Sequence, residues 1–434
     1  MVWIMGKADY DLVVVGGGAA GLNAVFSCRE RYPDKRVLLI DRESEVGYYR
    51  TLLPMFMAAN LTEEKLFFWK PCEDENLDTR LGVQVRSLDR AAKSLTLDNG
   101  ETIGYARLIL ASGGSPVVPP VFEAAVTPDG VFPVRGLSVA RQIKRWLPEH
   151  RDIVVLGGGL VGSKTSVFLR LAGFNVTLVE KEAHILPTVL SADTARPLQR
   201  HLENMGVQVK TQTTIDQFKA DANGAVLAVR LATGEWLSCG TFLVGIGSAP
   251  DLAYLDDAGL VEDGELVVSP TLQTVDPEIF AVGDAIFIRA ADGLRHNPWT
   301  WPQAVNQGKL AGANAFRTSA VPLKRTTRVN AQNIAGVPIM ILGGPGVGSS
   351  IEARPGPGDG VWREFFMDEG RIVGGALVGD IAGAGPLHFT MAGGADVSES
   401  MEELLKPRTR AFGASAWNSL GQVRRANVIS AKGS

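Results

Sequence analysis

The chain has 434 residues, 45% of them hydrophobic, with 49 glycines and a formal net charge of −4. At roughly 100–200 residues per domain that length implies several domains, and the near-neutral balance excludes a polyanion such as nucleic acid as the default partner. No run of about 18 uncharged apolar residues occurs, so no membrane span is expected. The N-terminal MVWIMGKADYD lacks the apolar core and small-residue cleavage site of a signal peptide, with Met1 or Met5 as the start.

The first element is the strand Leu12–Val15, four apolar residues in a row, the habit of a strand buried on both faces of a parallel sheet. Gly16, Gly18 and Gly21 follow in the G-x-G-x-x-G spacing, around Ala19 and Ala20. That spacing turns the chain tightly, lets backbone approach a pyrophosphate and packs helix on strand. Leu22, Val25 and Phe26 mark a helix whose N-terminus would face the phosphates. A second strand, Val37–Ile40, ends in Asp41, about 20 residues past the last glycine, where an acid takes ribose hydroxyls.

Tyr48–Trp69 is apolar around Pro54 and fits no single periodic element. Val83–Leu110 reads as short strands with a hairpin signal at Asn99-Gly100. It closes in LILASGGSP, Leu108–Pro116, before a connection marked by Pro116, Pro119 and Pro120. The pattern then begins again. Asp152–Gly162, DIVVLGGGLVG, repeats strand and glycine spacing with Gly157, Gly159 and Gly162 around Leu160 and Val161. A helix runs to Leu171, and the strand Val176–Val179 ends in Glu180. Val226–Leu237 repeats the meander with Thr233-Gly234 at its turn, and the strand Phe242–Ile246 ends at Gly247. A duplicated unit over residues 11–116 and 152–250 implies two nucleotide sites. A third glycine stretch, Gly343–Ser350, lacks a phosphate-loop lysine and reads as a plain loop.

The three cysteines, Cys28, Cys72 and Cys239, have no ligand spacing, which points to a reducing, cytoplasmic setting and excludes a four-cysteine cluster held by this chain alone. The five histidines lack metal-site spacing, so no metal is expected. Charge is uneven. Lys406, Arg408, Arg410, Arg424, Arg425 and Lys432 face no acid in the tail, leaving 37 basic against 47 acidic residues elsewhere.

In these motifs and their order the chain resembles the FAD- and NAD(P)-dependent pyridine-nucleotide oxidoreductases of the glutathione-reductase fold. The resemblance covers nearly the full length. It implies an α/β protein with two Rossmann-like dinucleotide-binding domains, each with a β-meander, plus a C-terminal α+β domain. The implied boundaries are 1–118 and 245–320 for a discontinuous FAD-binding domain, 119–244 for an NAD-binding domain, and 321–434 for an interface domain with the basic tail. The first glycine loop, with Asp41 and Arg50, is similar to the family's FAD site. LILASGGSP resembles its A-T-G turn, with Ala111, Ser112 and Gly113. DPEIFAVGD resembles the A-x-G-D motif and assigns Gly283 and Asp284 to the flavin ribityl chain. Trp301, Ala304 and Gln307 resemble W-x-x-A-x-x-Q, a helix N-terminus facing the flavin, whose dipole would favour the anionic reduced ring. The second loop, with Glu180 and Gly247, resembles the NAD site. The C-terminal VWREFFMDEGRIVGGALVGD resembles the last domain of the rubredoxin-reductase branch.

Three departures matter. Val46–Ala58, where disulfide-reducing members carry reactive cysteine, has none, and Thr51 stands near that place. Met55 and Lys164 occupy positions where ferredoxin-reductase relatives can hold a Lys–Glu pair, and Ser112 replaces a threonine. Lys164 and Trp301 are the near-flavin candidates for a catalytic role, Lys164 being equally compatible with a solvated helix face. The resemblance thus implies an FAD-dependent NAD(H):acceptor oxidoreductase without a dithiol, paired with an iron–sulfur carrier or subunit. The narrower expectation is the flavin subunit of a multi-subunit, phenylglyoxylate-type 2-oxoacid dehydrogenase reducing NAD+. A free-standing NADH:rubredoxin or ferredoxin reductase, an NADH oxidase, and a non-catalytic regulatory flavoprotein are the alternatives. The tail, with Phe412 and Trp417 among its cations, is either a dock for an acidic partner or a solvated terminus.

Overall fold

The computed structural model describes residues 9–398 apart from 72–73, 124–127, 290–292, 294, 297–298, 324–327, 345–349 and 356–360. The described residues fall into two compact units, the first within Met1–Thr188 and Gln199–Asn330, the second within Val189–Leu198 and Ala331–Ser434. In chain order the helices are α1 (Ala19–Arg31), α2 (Leu53–Met57), α3 (Pro120–Glu123), α4 (Leu137–Trp146), α5 (Leu160–Leu171), α6 (Ala192–Asn204), α7 (Trp301–Asn314) and α8 (Ala384–Gly393).

The first unit is built on the strand Tyr10–Val15, whose Leu12, Val13 and Val14 are wholly buried. It pairs in parallel with Val37–Asp41 on one side and Thr102–Leu110 on the other. Leu77–Leu81 extends the parallel sheet past Val37–Asp41, and Ile279–Ala281 adds to Thr102–Leu110. The antiparallel strands Ser94–Leu97 and Val85–Asp89 complete it. Helix α1 covers this sheet and packs in turn on α7. A Cβ on Gly308 would lie 2.0 Å from the Ala20 carbonyl oxygen, and one on Gly312 would lie 2.1 Å from that of Ala24. The two helices therefore touch backbone to backbone.

A second, all-parallel sheet in this unit runs Gln208–Lys210, Asn175–Val179, Asp152–Leu156, Thr241–Val244 and Val131–Pro133. Beside it lies the antiparallel meander Ile215–Ala220, Val226–Leu231 and Trp236–Ser238. Phe122 joins them, its ring stacked 5.2 Å from Phe218 and tilted 5.0 Å from Phe242. Two chain crossings, Gly114–Pro116 and Ser248–Pro250, pair antiparallel.

In the second unit, Val337–Gly343, Arg371–Val378, Trp362–Asp368 and Ser350–Pro355 form an antiparallel sheet flanked by Val329–Ile334. Its buried Glu364 accepts hydrogen bonds from the Ser191 amide, 3.1 Å away, and from the Ser191 hydroxyl.

The expected strand Phe242–Ile246 is found at Thr241–Val244; Gly245 still donates its N–H to the Leu156 carbonyl at 2.8 Å, and Gly247 follows with a φ of +111°. Tyr48–Trp69 holds helical pieces at Arg50–Leu52, Leu53–Met57 and Glu63–Leu66, with Pro54 in the first turn of α2 where its missing N–H costs nothing. Gly343 ends one strand and Ser350 begins the next. The basic tail and Cys72 lie outside the described residues.

Candidate functional site

The two glycine turns have the same geometry. Gly16 and Gly157 hold φ of +104° and +103°, a left-handed conformation that penalises any side chain. A Cβ on Gly16 would come within 2.2 Å of the Ala111 carbonyl oxygen, and one on Gly157 within 2.5 Å of that of Gly245. Gly21 and Gly162 each sit where a Cβ would be 1.8 Å from the carbonyl oxygen of the first glycine of the turn. Gly18 and Gly159 differ, since a Cβ there would meet open space. These two are the extended N-cap residues of α1 and α5, and neither helix has a side-chain cap or an acid in its first turn. Each turn therefore presents uncapped N–H groups above a cleared surface, the requirement for a diphosphate.

The two acids are equally matched. Asp41, 8% exposed, accepts from the Gly17 amide at 2.5 Å and the Glu43 amide at 2.7 Å. Burial pushes its carboxyl up, opposed by these amides. Glu180 accepts from the Gly158 amide at 2.5 Å and the Glu182 amide at 2.8 Å. Each carboxylate ties its own glycine turn to the end of the second strand, beside the open third position.

Around the first turn the structure gathers most of the remaining candidates. Ala111 donates its N–H to the Val15 carbonyl at 2.7 Å, and the Ser112 hydroxyl donates to the Asp251 carbonyl at 3.0 Å. Gly113 follows with φ +69°. Asp284 lies in the Gly283–Ala285 turn, and Gly283 donates its N–H to Gln307 Oε1 at 2.7 Å. Gln307 is 0% exposed and its Nε2 has no hydrogen-bond partner among the described residues. Trp301 opens α7, its ring 5.4 Å from Tyr49 and 5.8 Å from Phe68, and Ala304 is buried one turn on. Arg50 pairs with Glu43, which also accepts the Tyr48 hydroxyl at 2.6 Å.

Around the second turn, Leu160 and Val161 form the first turn of α5 with Val161 exposed, and Gly247 holds φ +111° in open space. Lys164 stands in the next turn of α5, half-buried, and burial lowers its ammonium below the usual range. Helix α5 packs against α2, which carries Met55.

Two residues escaped the sequence reading. Arg135 brings its guanidinium 3.6 Å from Asp284 and 3.7 Å from the place of a Cβ on Gly113. Arg42, next to Asp41, pairs with Asp251, which accepts the Ser115 hydroxyl at 3.2 Å. Neither belongs to a motif, and only the folding of distant segments brings them beside the candidate residues.

The cysteines among the described residues are Cys28, on the inner face of α1, and Cys239. Both are wholly buried, and burial pushes both thiols up to about 12. Neither is fit for thiolate chemistry.

Two uncapped helix N-termini, each behind a glycine turn latched by an acid, suit a protein that binds two dinucleotides. Residues 10–308 match the pyridine nucleotide-disulphide oxidoreductase family, and the chain belongs to it. The chain is 30% identical over 312 residues to rubredoxin-NAD(+) reductase of Pseudomonas putida, covering 71% of this chain and 80% of that one. It is 28% identical to the anthranilate 1,2-dioxygenase system ferredoxin–NAD(+) reductase component of Burkholderia cepacia, covering 84% and 90%. Among solved structures, a chain of the covalent putidaredoxin reductase–putidaredoxin complex superposes with a TM-score of 0.84 at 24% identity, over 92% of this chain and 96% of that one. The water-forming NADH oxidase from Lactobacillus brevis bound to NADH gives 0.83 at 20%, over 98% and 100%. These likenesses establish the glutathione-reductase fold, and the chain is an FAD-dependent NAD(H) oxidoreductase without a redox-active disulfide among its described residues. The open Gly18 and Gly159 and the orphaned Gln307 amide fit the cofactors. No described helix is long and apolar enough to cross a membrane.

Proposed function

We propose that this enzyme exchanges electrons between NAD(H) and an iron–sulfur protein or subunit. The observation that carries this reading is the cysteine-free flavin segment. Thr51 lies in the turn Arg50–Leu52, and no thiol stands in α2 to pass electrons to a disulfide substrate. Relatives named as rubredoxin and ferredoxin reductases support it.

In this reading the first glycine turn, with Asp41, Asp284 and Arg135, holds FAD, and the second, with Glu180, holds NAD. The domains follow, as 1–118 with 245–320, then 119–244, then 321–434. FAD held there would supply two-electron chemistry toward nicotinamide and one-electron chemistry toward an iron–sulfur partner. The protein supplies proximity and orientation. Gln307 holds the Gly283 amide and so sets the turn that aims Asp284. The open N-terminus of α7, led by Trp301, offers its dipole to developing negative charge. Lys164 adds a half-buried cation on α5, one turn past the second loop.

The narrower form of the proposal makes this chain the flavin subunit of a 2-oxoacid dehydrogenase complex, electrons running from cluster to NAD+. A relative of Methanocaldococcus jannaschii named NADH oxidase supports a second reading, with O2 as acceptor. Stopped-flow mixing with NADH tests all of them. Rapid flavin bleaching followed by reoxidation only by an iron–sulfur protein is expected. Fast reoxidation by air would favour the oxidase, and absence of bleaching would leave a regulatory flavoprotein. Co-purification of iron- and sulfide-containing subunits would separate the complex from a free-standing reductase.

A further inference from the structure

A groove of about 900 Å³ opens on the first unit between the end of α2, residues Ala59–Lys65 and α4. None of its lining residues belongs to either glycine turn. Phe56 lies along it, 2% exposed, with the Lys144 ammonium 4.2 Å over its ring. Arg141 stiffens the rim, donating to Glu45 at 2.6 Å and to Glu63 at 3.1 Å. Those two carboxylates are thereby occupied. Lys65, Lys144 and Arg145 also line the groove and enter no ion pair among the described residues. Glu64 is the one lining acid left to oppose them. The Arg141 hydrogen bond, with the charges of Lys144 and Lys70, holds Glu63 below the usual carboxylate range. Such a cationic rim runs against the acidic balance of the chain outside its tail, 37 basic against 47 acidic residues.

The groove also stands close to the cofactor elements. Helix α2, five residues long, packs on one side against α4 and on another against α5, which begins in the second glycine turn. Arg50, just ahead of α2, pairs with Glu43 beside the first turn. One short helix thus lines the groove with Phe56 and packs on the helix that follows the second glycine turn.

We propose that this groove is the docking site of an acidic protein electron carrier, whose carboxylates meet Lys65, Lys144 and Arg145. The inference rests on the reading that an iron–sulfur protein is the reaction partner. Complementary charge speeds encounter and fixes orientation, and it is screened within about 8 Å at physiological salt. Docking here is therefore salt-sensitive.

The test uses the full-length holoenzyme and a purified acidic [2Fe–2S] ferredoxin as probe. Lys144→Glu/Arg145→Glu is compared with Lys65→Glu/Arg145→Glu, which leaves the Lys144–Phe56 packing in place. Flavin bleaching by NADH is expected to stay at the wild-type rate in both. Electron transfer to ferredoxin at low salt is expected to fall at least tenfold in both, with a flatter salt dependence. Wild-type transfer rates in the Lys65/Arg145 pair, with bleaching intact, would overturn the groove as the dock. The basic tail is present throughout, so a dock on the tail alone gives that overturning result. Failure of the wild type to reduce ferredoxin at any salt would instead overturn the partner reading, and the dock with it.

Discussion

The Arg135 guanidinium lies 3.6 Å from the Asp284 carboxylate. It joins the segment after the strand Val131–Pro133 to the turn ahead of α7, although more than a hundred residues part them. Burial lowers the guanidinium from its usual value and Asp284 opposes that. In the proposed FAD site, Arg135 would offer its guanidinium to an anionic group of the cofactor. A charge-assisted hydrogen bond contributes about 1.5–3 kcal/mol, so Arg135→Ala is expected to weaken FAD binding by roughly 10–100-fold. Fluorescence titration of the apoprotein measures this, and an unchanged Kd would remove Arg135 from the site.

Nicotinamide choice is expected to follow from Glu180, in the proposed NAD site. Its carboxylate is fixed by two amides, at 2.5 and 2.8 Å, and would repel a ribose 2′-phosphate. Lys181 follows, but no arginine stands in the next few residues. NADH should be preferred to NADPH by about 1.4 kcal/mol or more, roughly tenfold in kcat/KM. Equal values for the two would sink this assignment. Glu180→Ala should narrow the gap.

Electron storage is expected to be limited to the flavin. Anaerobic dithionite titration should end at about two electrons per FAD, because the cofactor is then the sole two-electron centre. Four electrons with a thiolate-to-flavin band would reveal a dithiol.

The buried thiols make a pH prediction. Folding raises Cys28 and Cys239 from 9.0 to about 12, so both resist iodoacetamide until the chain unfolds. Between those values the unfolded state releases the proton first, so stability falls as pH rises. The slope is about 1.4 kcal/mol per pH unit for each thiol. Denaturant midpoints of wild type and Cys28→Ala between pH 9 and 10 check the sign: the variant's loss should be shallower.

A pair of glycines separates helix propensity from packing. Gly→Ala inside a helix gains about 0.5–1 kcal/mol. Gly385 in α8 faces open space, so Gly385→Ala should be neutral or stabilising. At Gly308 the new Cβ would strike the Ala20 carbonyl at 2.0 Å, backbone that cannot swing aside. Overpacking costs typically 1–3 kcal/mol, so there the loss outweighs the gain. Gly308→Ala should lower Tm, and a raised Tm would show that α1 and α7 separate easily.

What could be read in advance was what local chemistry dictates. The glycine turns, the strand into Asp41 and the helix ending at Leu171 follow from periodicity and from positions that tolerate no Cβ. The parallel strand Leu77–Leu81 was missed because LDTRL is half-buried throughout and carries no clear alternation. Arg135, Arg42 and the Phe56 groove were beyond reach because each is created by segments distant in sequence meeting in space. Pro54 was legible as a break, but not the three short helical pieces around it.

The latch between Glu180 and the Gly158 amide bears on coenzyme engineering. The residue proposed to read the ribose is also the acceptor for a buried backbone donor of the glycine loop proposed to cradle the phosphates. Replacing it with a small residue to admit NADPH would orphan that N–H, at about 1–3 kcal/mol. A specificity switch made at this position alone would therefore loosen the loop it was meant to retune. A new acceptor for the Gly158 amide has to be designed together with the new phosphate pocket.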